Sequence, residues 1–364
     1  QAVMVGGGYA TGRELVEFFV SKGPPTGLLG LGITAAIFSA GTMIAFELAR
    51  RFQAFDYQTL NRVYLGRFAI LFELGYFCTL LLSLSVVSAA AARLVGDALG
   101  TPELVNSIGF VLLVAALVFF GNRMIEKVIS WWSILFYLTY GLMFVMVLSR
   151  YSGQLGQALA AAPVDVLTAG REALSFTGYN IVILPILIFV ARNFRSRREA
   201  LIAGALAGPL ILLPGLAFIL ALSAFYPGIV DAALPVSVVL EGLSAPWLSV
   251  IVQLVIIGAL IKTGAGMLHG LNERLARRYE DLGRTMPRLL RPGVALGAMA
   301  IAVVVADKFG LIDLIGKGYR FSGIYFTVIF LIPLLSHGLW LVLRPKKPPA
   351  AGGHPVPPAT PPAQ

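Results

Sequence analysis

The sequence has few of the residues on which disulfides, metal centres and many active sites depend. Among 364 residues there are one cysteine, Cys78, and three histidines, which are far apart at positions 269, 337 and 354. An intramolecular disulfide is therefore excluded, and a histidine–cysteine metal centre has no support from ligand spacing. We expect Cys78 to pack inside as a small hydrophobic side chain, and we predict no cofactor.

Charge is scarce as well. Asp, Glu, Lys and Arg make up only 13% of the chain, against about 25% in soluble proteins. Hydrophobic residues make up 58%, and the mean hydropathy is +0.84. Apolar stretches long enough to cross a bilayer recur with short charged connections between them. We predict an all-α integral membrane protein with about ten transmembrane helices, at 2–22, 27–50, 68–96, 104–121, 128–149, 169–191, 200–226, 246–270, 292–307 and 321–343.

The net charge of +10 is unevenly distributed over these spans. If the N-terminus is cytoplasmic, seven basic residues fall on outer connections: Lys22, Arg93, Arg150, Arg171, Lys308, Lys317 and Arg320. Arg13 and Lys262 lie within spans, so the other 19 of the 28 Lys and Arg lie inside. This asymmetry predicts that both termini are cytoplasmic and that the protein is a multi-pass protein of the inner (cytoplasmic) cell membrane. The partner is then the lipid bilayer, not nucleic acid; the oligomeric state stays open.

The ten spans divide into two sets of five. The first occupies residues 1–151 and the second residues 169–343, with a polar extracellular linker at 152–168 and a disordered cytoplasmic tail at 344–364. Because five is odd, the second set enters the membrane in the opposite orientation, which predicts an inverted repeat. The first span of each half carries a similar tripeptide, Gly8-Tyr9-Ala10 and Gly178-Tyr179-Asn180.

A glycine run interrupts the first span. It reads Gly6-Gly7-Gly8-Tyr9-Ala10-Thr11-Gly12, and each glycine inside a helix costs about 1 kcal/mol relative to alanine. Irregular backbone at membrane depth survives only where protein or a cavity satisfies it. We therefore predict a discontinuous helix whose backbone binds a small-molecule substrate near the midplane. The predicted substrate-binding residues of this span are Gly6, Gly7, Gly8, Tyr9 and Thr11; the alternative is that the glycines only allow close helix packing.

The sixth span is predicted to be discontinuous too, with exposed backbone at Thr177, Gly178, Tyr179 and Asn180 and a second half-helix that begins just before Pro185. Its exposed backbone and its hydroxyl, phenol and amide groups predict a second face of the same site. Phe176 is either a wall of the site or part of the core. The substrate-binding residues predicted here are Phe176, Thr177, Gly178, Tyr179 and Asn180, and Tyr76 of span three is expected to approach them.

The stretch from Gly6 to Glu14 resembles the opening of YkvI-type membrane proteins, a branch of the amino acid–polyamine–organocation (APC) superfamily. The sixth span, followed by the basic segment 192–198, also resembles amino-acid permeases of that superfamily. The resemblance implies the five-plus-five fold typified by LeuT, with discontinuous helices one and six and alternating access around a central site. It does not identify the solute.

Lys262 and Thr263 lie in the cytoplasmic half of span eight. In sodium-coupled proteins of the fold that the chain resembles, this region supplies hydroxyls to a sodium ion between spans one and eight. A lysine there predicts transport that is proton-coupled or sodium-independent, with Na⁺ coupling as the alternative. Glu73 of span three lies at a similar depth, so a structural Glu73–Lys262 pair is the other interpretation.

Arg13 and Glu17 are four residues apart in the outer half of span one, so we expect them to pair along one helix face. The resemblance implies that such an arginine closes an extracellular gate with an acid near span ten, for which Asp307 and Asp313 are the candidates. The alternative is an ordinary charge cluster at a solvated helix end.

These features predict a secondary active transporter of a small organic solute, an amino acid or a related amine. A membrane nutrient sensor on the same fold is the alternative, since fold alone does not decide function. A sodium-coupled symporter is a second alternative. A channel is disfavoured because no filter-like repeat occurs, and an enzyme because no nucleophile–base or metal constellation is visible.

Overall fold

The computed structural model describes residues 7–120, 123–161, 163–281, 283–287 and 290–344. Over these residues the regular structure is entirely helical. The α-helices are α1 Gly7–Ala10, α2 Arg13–Phe18, α3 Pro24–Phe52, α4 Tyr57–Leu65, α5 Ala69–Leu99, α6 Glu103–Phe120, α7 Arg123–Ala160, α8 Val166–Asn180, α9 Leu184–Leu187, α10 Arg197–Ser223, α11 Pro235–Leu243, α12 Pro246–Asp281, α13 Leu290–Asp313, α14 Arg320–Phe326 and α15 Leu339–Leu343. Between α13 and α15 the chain winds through three π-helical segments, Leu314–Tyr319, Thr327–Leu331 and Leu334–Gly338.

Several helices are built to cross a bilayer. Six helical segments of the described chain are long and apolar enough by length and composition: Pro24–Phe52, Tyr57–Leu99, Ile134–Ala160, Arg197–Ser223, Pro246–Ala276 and Leu290–Leu343. Large apolar side chains remain exposed on them, as a lipid-facing surface requires. The chain is thus a multi-pass, all-helical membrane protein. The count of ten spans and the inverted repeat stay predictions.

Several pairs of packed helices lie five predicted spans apart, although α5 packs even more extensively against α13. The helix α3 packs against α10, α5 against α12, and α6 against α13. Such pairs are expected when two five-helix halves interlock, so the packing agrees with a five-plus-five architecture without testing its symmetry. The predicted linker at 152–168 is helical over most of its length, since α7 continues to Ala160 past a kink at Tyr151 and α8 begins at Val166.

The segments that connect the helices lie in two groups, at opposite ends of the helices, and hydrogen bonds link the segments within a group. At one end, the Asp165 amide donates to Thr26 Oγ1 (3.0 Å) and Arg150 donates to the Leu243 carbonyl (2.6 Å). At the other, Arg51 donates to the Leu341 carbonyl (2.9 Å). This division matches the alternation of sides predicted from the charges. We call the two groups the predicted outer end and the predicted cytoplasmic end.

The expectation that Cys78 packs inside is wrong, because its side chain is exposed. It shares a face of α5 with Leu74, which is 57% exposed, and lies beside Phe77, which is 47% exposed. This face points away from the neighbouring helices, and a thiol suits such an apolar surface as well as it suits a core. Of the predicted tail, residues 345–364 lie outside the described residues.

The first span is interrupted, but later than predicted. Helix α1 ends at Ala10, and α2 begins at Arg13 after Gly12, whose φ of 80° lies in the left-handed region. Glycine adopts this conformation without a steric penalty, which is why the chain reverses course there. Gly7 and Gly8 are helical, so the prediction that they form the break is wrong; Gly6 lies outside the described residues.

The α-helix of the sixth span is interrupted, but later than predicted: α8 runs unbroken through Thr177 and Gly178 to Asn180, and α9 begins at Leu184, just before Pro185 as expected. Gly178 instead lets α8 and α14 touch backbone to backbone. A Cβ on Gly178 would collide with the Gly323 carbonyl oxygen, and a Cβ on Gly323 would collide with that of Ser175. Here small residues serve close helix packing. Tighter 3₁₀ turns begin only after the glycine, at Ile181–Ile183.

This packing predicts that Gly178→Ala lowers the free energy of unfolding by roughly 1–3 kcal/mol, because the added methyl group forces the two helices apart. Gly170→Ala is the matched control on α8, since nothing lies within 4 Å of a Cβ at Gly170. Thermal unfolding of the purified variants in detergent measures both. Equal melting temperatures for the two variants would contradict the close contact.

A candidate substrate site at the break in the first span

Protein groups satisfy the backbone where the first span is interrupted. The Tyr140 hydroxyl of α7 donates to the Ala10 carbonyl, and the Val236 amide of α11 donates to the Thr11 carbonyl (3.2 Å). The Tyr9 carbonyl accepts from the Gly12 amide (3.1 Å). The expectation that this backbone is left free for a solute is therefore wrong for these three carbonyls. Side chains near the break are the remaining candidates for contact with a solute.

A buried carboxylate follows the break. Glu14, in the first turn of α2, is 7% exposed and accepts a hydrogen bond of 2.6 Å at Oε2 from the Tyr179 hydroxyl of α8. The Tyr179 ring stacks on that of Tyr319 with centroids 4.6 Å apart. Tyr9, Tyr179 and Tyr319 all interact electrostatically with Glu14. Glu14 and three tyrosines, from the first and sixth predicted spans and from the segment just before the tenth, are thus brought near one another.

The Tyr9 hydroxyl is a buried polar group with no hydrogen-bond partner, and the Tyr9 residue is only 3% exposed. It lies directly against Gly215 of α10, where any larger residue would collide with it. Most buried hydroxyls in proteins are hydrogen-bonded. Among the described residues the hydroxyls of Tyr64, Ser88 and Thr177 are also buried without a partner, and that of Tyr9 is a candidate contact for a bound group because it lies next to the break.

Aromatic rings surround the predicted outer side of this carboxylate. Phe18 lies 5.6 Å from both Phe176 and Tyr179, measured between ring centroids, and Phe176 lies 4.9 Å from Phe19. Phe176 itself is fully buried. Phe176 is therefore part of the core and contacts the Tyr179 ring, and its interpretation as a wall of the site stays a prediction.

Glu14 differs from the other buried carboxylates in lacking a basic partner. Glu47 pairs with Arg50 (2.7 Å), and Glu172, 1% exposed, pairs with Arg320 (2.7 Å). No ion pair within the described ranges includes Glu14. Over the same ranges, no group of three or more His, Cys, Asp and Glu is placed to hold a metal ion.

An ion network covers the predicted outer side of the site. Arg13 pairs with Glu17 (2.6 Å), as predicted, and also donates to the Val230 carbonyl (2.6 Å). Arg320 extends the network: it lies 3.6 Å from Glu17 and binds both carboxylate oxygens of Glu172, at 2.8 and 2.7 Å. The network therefore joins the first and sixth predicted spans to the segment just before the tenth.

The prediction that Asp307 or Asp313 completes this gate is wrong. Asp313 pairs with the exposed Lys317 (2.8 Å), and Asp307 is exposed. The residue just before the predicted span ten, Arg320, contributes a base, and the acids come from the first and sixth spans. Both aspartates precede the buried part of span ten, which explains why they do not reach Arg13.

A second cluster lies at the predicted cytoplasmic end. Glu73 of α5 pairs with Arg274 of α12 (3.0 Å), whose guanidinium lies over the rings of Tyr76 (3.6 Å) and Tyr57 (4.5 Å). Tyr76 is thus placed with Arg274, and not among the residues around Glu14.

The remaining predicted residues have the following places. Asn180 donates to the Phe176 carbonyl of its own helix (3.0 Å), and the Thr177 hydroxyl is buried without a partner. Lys262 is partly buried on α12, and the Thr263 hydroxyl donates to the Ala259 carbonyl (2.8 Å). The Glu73–Lys262 pair and the ion-coupling role of Lys262 stay predictions.

Five residues of these clusters were missed by sequence reasoning: Glu14, Glu172, Arg274, Tyr319 and Arg320. A signal existed for Glu14 and Glu172, because an ionisable residue within a predicted span is a functional hypothesis. Arg320 lies just outside its predicted span and Arg274 just beyond the end of its own, so hydropathy gave no reason to place either beside a buried acid.

The outer network predicts that Arg320→Met lowers the free energy of unfolding by roughly 3 kcal/mol, because the buried Glu172 loses its main partner. The control is Lys317→Met, which removes an exposed pair worth about 0–1 kcal/mol. Thermal unfolding measures both. The double variant Arg320→Met/Glu172→Met should recover most of the loss, and failure to recover it would show that the pairing is not the cause.

Comparison with known proteins supports the fold. No protein-family model and no curated protein sequence matches the chain. Solved structures do: a mutant of the Eremococcus coleocola manganese transporter has a TM-score of 0.58 and 15% identity, over 92% of this chain and 77% of that chain. The same transporter in complex with an aromatic bis-isothiourea substituted compound has a TM-score of 0.54 and 15% identity, over 92% and 78%. The chain thus shares its fold with a membrane transporter. The YkvI and APC resemblance stays a prediction.

Proposed function

We propose that the protein is a secondary active transporter of a small organic solute, an amino acid or a related amine. In this proposal the solute binds beside the break in the first span, and the two halves of the chain give it access to each side of the membrane in turn. Transport is proton-coupled or sodium-independent. The five-plus-five LeuT-like arrangement belongs to the same proposal.

The observation that carries the proposal is the position of Glu14 and its tyrosines between two ionic clusters. Toward the predicted outer end, the side chains of Arg13 and Glu17 are 4% and 16% exposed. Toward the predicted cytoplasmic end, those of Arg274 and Glu73 are 20% and 36% exposed. A buried polar site with a separable ionic contact on each side is what alternating access requires, because one contact can open while the other stays closed.

Lys262 supports the choice of coupling. It is partly buried on α12, the helix against which α1 packs. An intramembrane ionisable residue is costly and is retained for a function in most membrane proteins. A fixed positive charge here would disfavour a bound sodium ion by repulsion, whereas a proton that leaves and returns to the ammonium group would couple transport to pH.

Purified protein reconstituted in liposomes tests the transport proposal. Accumulation of a radiolabelled amino acid or amine, chosen by thermal-shift screening of a panel of both, is the expected result. A solute that stabilises the protein but never accumulates would overturn the transport proposal and favour the sensor alternative.

We expect uptake to be unchanged when sodium is replaced by potassium on both sides of the liposome membrane, because no sodium ion takes part. The initial rate at equal ionic strength is the measurement. Loss of uptake without sodium would contradict the proposal and support the sodium-coupled alternative.

Lys262→Met is expected to abolish accumulation driven by an imposed pH gradient, because the variant has no group to carry the proton. Lys308→Met, on the predicted outer end, is the matched control and should accumulate as the wild type does. Wild-type accumulation by Lys262→Met would remove Lys262 from the coupling mechanism.

A further inference from the structure

We infer that Glu14 recognises the protonated amine of the transported solute, with Tyr9 as the second polar contact. The inference rests on the proposed function and deepens it by assigning the substrate class to one side chain. The three parts of the argument are a missing cation, a missing hydrogen-bond partner and the character of the surrounding surface.

Among the buried carboxylates of the described residues, Glu14 is the one that lacks a cationic partner. Glu47 and Glu172 each have an arginine, whereas Glu14 has only the Tyr179 hydroxyl at Oε2 within the described part of the chain. A buried carboxylate without a counter-charge is unfavourable, so buried charges are paired or neutralised. The neighbouring base does not serve, because Arg13 is engaged by Glu17 and the Val230 carbonyl.

The missing hydrogen-bond partner is that of the Tyr9 hydroxyl. This hydroxyl is buried, has no partner, and interacts electrostatically with Glu14. An ammonium group has three N–H donors and no acceptor. A carboxylate and a phenol oxygen match such a group, since each can accept a hydrogen bond from it.

The surrounding surface is aromatic. Phe18, Tyr179 and Tyr319 are in ring contact around the carboxylate, and Phe176 stands behind Tyr179. Aromatic faces attract cations and add no negative charge, so they suit an organic cation with an apolar body. The Phe18 ring already contacts a cation, since the Arg320 guanidinium of the outer ion network lies 5.5 Å from its centroid.

Two other cations fit these observations less well. A proton on Glu14 would neutralise the charge but would leave the Tyr9 hydroxyl without a partner. A divalent metal ion such as Mn²⁺ prefers several oxygen ligands, and Glu14 is the one carboxylate that the described residues place beside these tyrosines.

The test is a thermal-shift titration of purified full-length protein with matched probes. Each free amino acid that stabilises the wild type is compared with its N-acetyl derivative, which lacks the positive charge, and with its carboxamide, which keeps it. MnCl₂ is titrated alone. We expect the free amino acid and the carboxamide to bind and the N-acetyl derivative to bind about 10- to 100-fold more weakly, the range expected for loss of a charge-assisted contact.

Glu14→Gln tests the residue itself. Its amide oxygen can still accept the hydrogen bond from Tyr179, so folding should be retained, and binding of the free amino acid should weaken about 10- to 100-fold. Tyr9→Phe should weaken it less, because the charge remains. Glu47→Gln is the control, a buried carboxylate near the predicted cytoplasmic end whose substitution should leave binding unchanged.

The outcomes separate the inference from the proposed function. Equal binding of a free amino acid and its N-acetyl derivative, or unchanged binding by Glu14→Gln, overturns the inference while the transport proposal stands. Stabilisation by MnCl₂ alone, lost in Glu14→Gln, overturns both and indicates a cation transporter. Stabilisation by none of the probes also overturns both.

Discussion

The molecule depends on one constraint, which is that a polypeptide cannot leave its backbone groups unpaired inside a bilayer. The interruption at Thr11 and Gly12 is possible because Tyr140 and Val236, from helices distant in sequence, supply donors to the exposed carbonyls. Those two contacts fix the second half of the span relative to α7 and α11. The orientation of Glu14, in the first turn after the interruption, follows from them.

Hydropathy and charge distribution predicted much of the fold. Four predicted spans, 27–50, 68–96, 104–121 and 200–226, match helices to within three residues at each end, because bilayer thickness dictates both length and composition. The helices α7 and α12 continue well beyond their predicted spans, since hydropathy does not mark where a helix ends outside the bilayer. The glycine run correctly predicted that the first span is interrupted, but the interruption lies later in the chain than predicted. Gly12 carries the left-handed turn, and nothing in a run of glycines tells which member will adopt it.

The site was predicted less well, for reasons that individual residues make plain. Gly178 has the same sequence signature whether it breaks a helix or packs against another, and only the position of Gly323 decides between the two. Arg320 and Glu172 are 148 positions apart, so their pairing depends on how the predicted spans six and ten meet. Glu14 belongs to the Gly6–Glu14 stretch that the sequence analysis singled out, but its lack of a basic partner is visible only in the three-dimensional structure.

The backbone contact of α8 with α14 has a mechanical consequence. Because Gly178 and Gly323 leave no space between the two helices, we expect these helices to move as one body. The Tyr179–Tyr319 stack and the bidentate Glu172–Arg320 pair both lie within that joint body and would survive its displacement. The contacts between this body and the first span include the Tyr179–Glu14 hydrogen bond and the longer Arg320–Glu17 contact of 3.6 Å. A displacement of this body relative to the first span would therefore break both contacts at the same time.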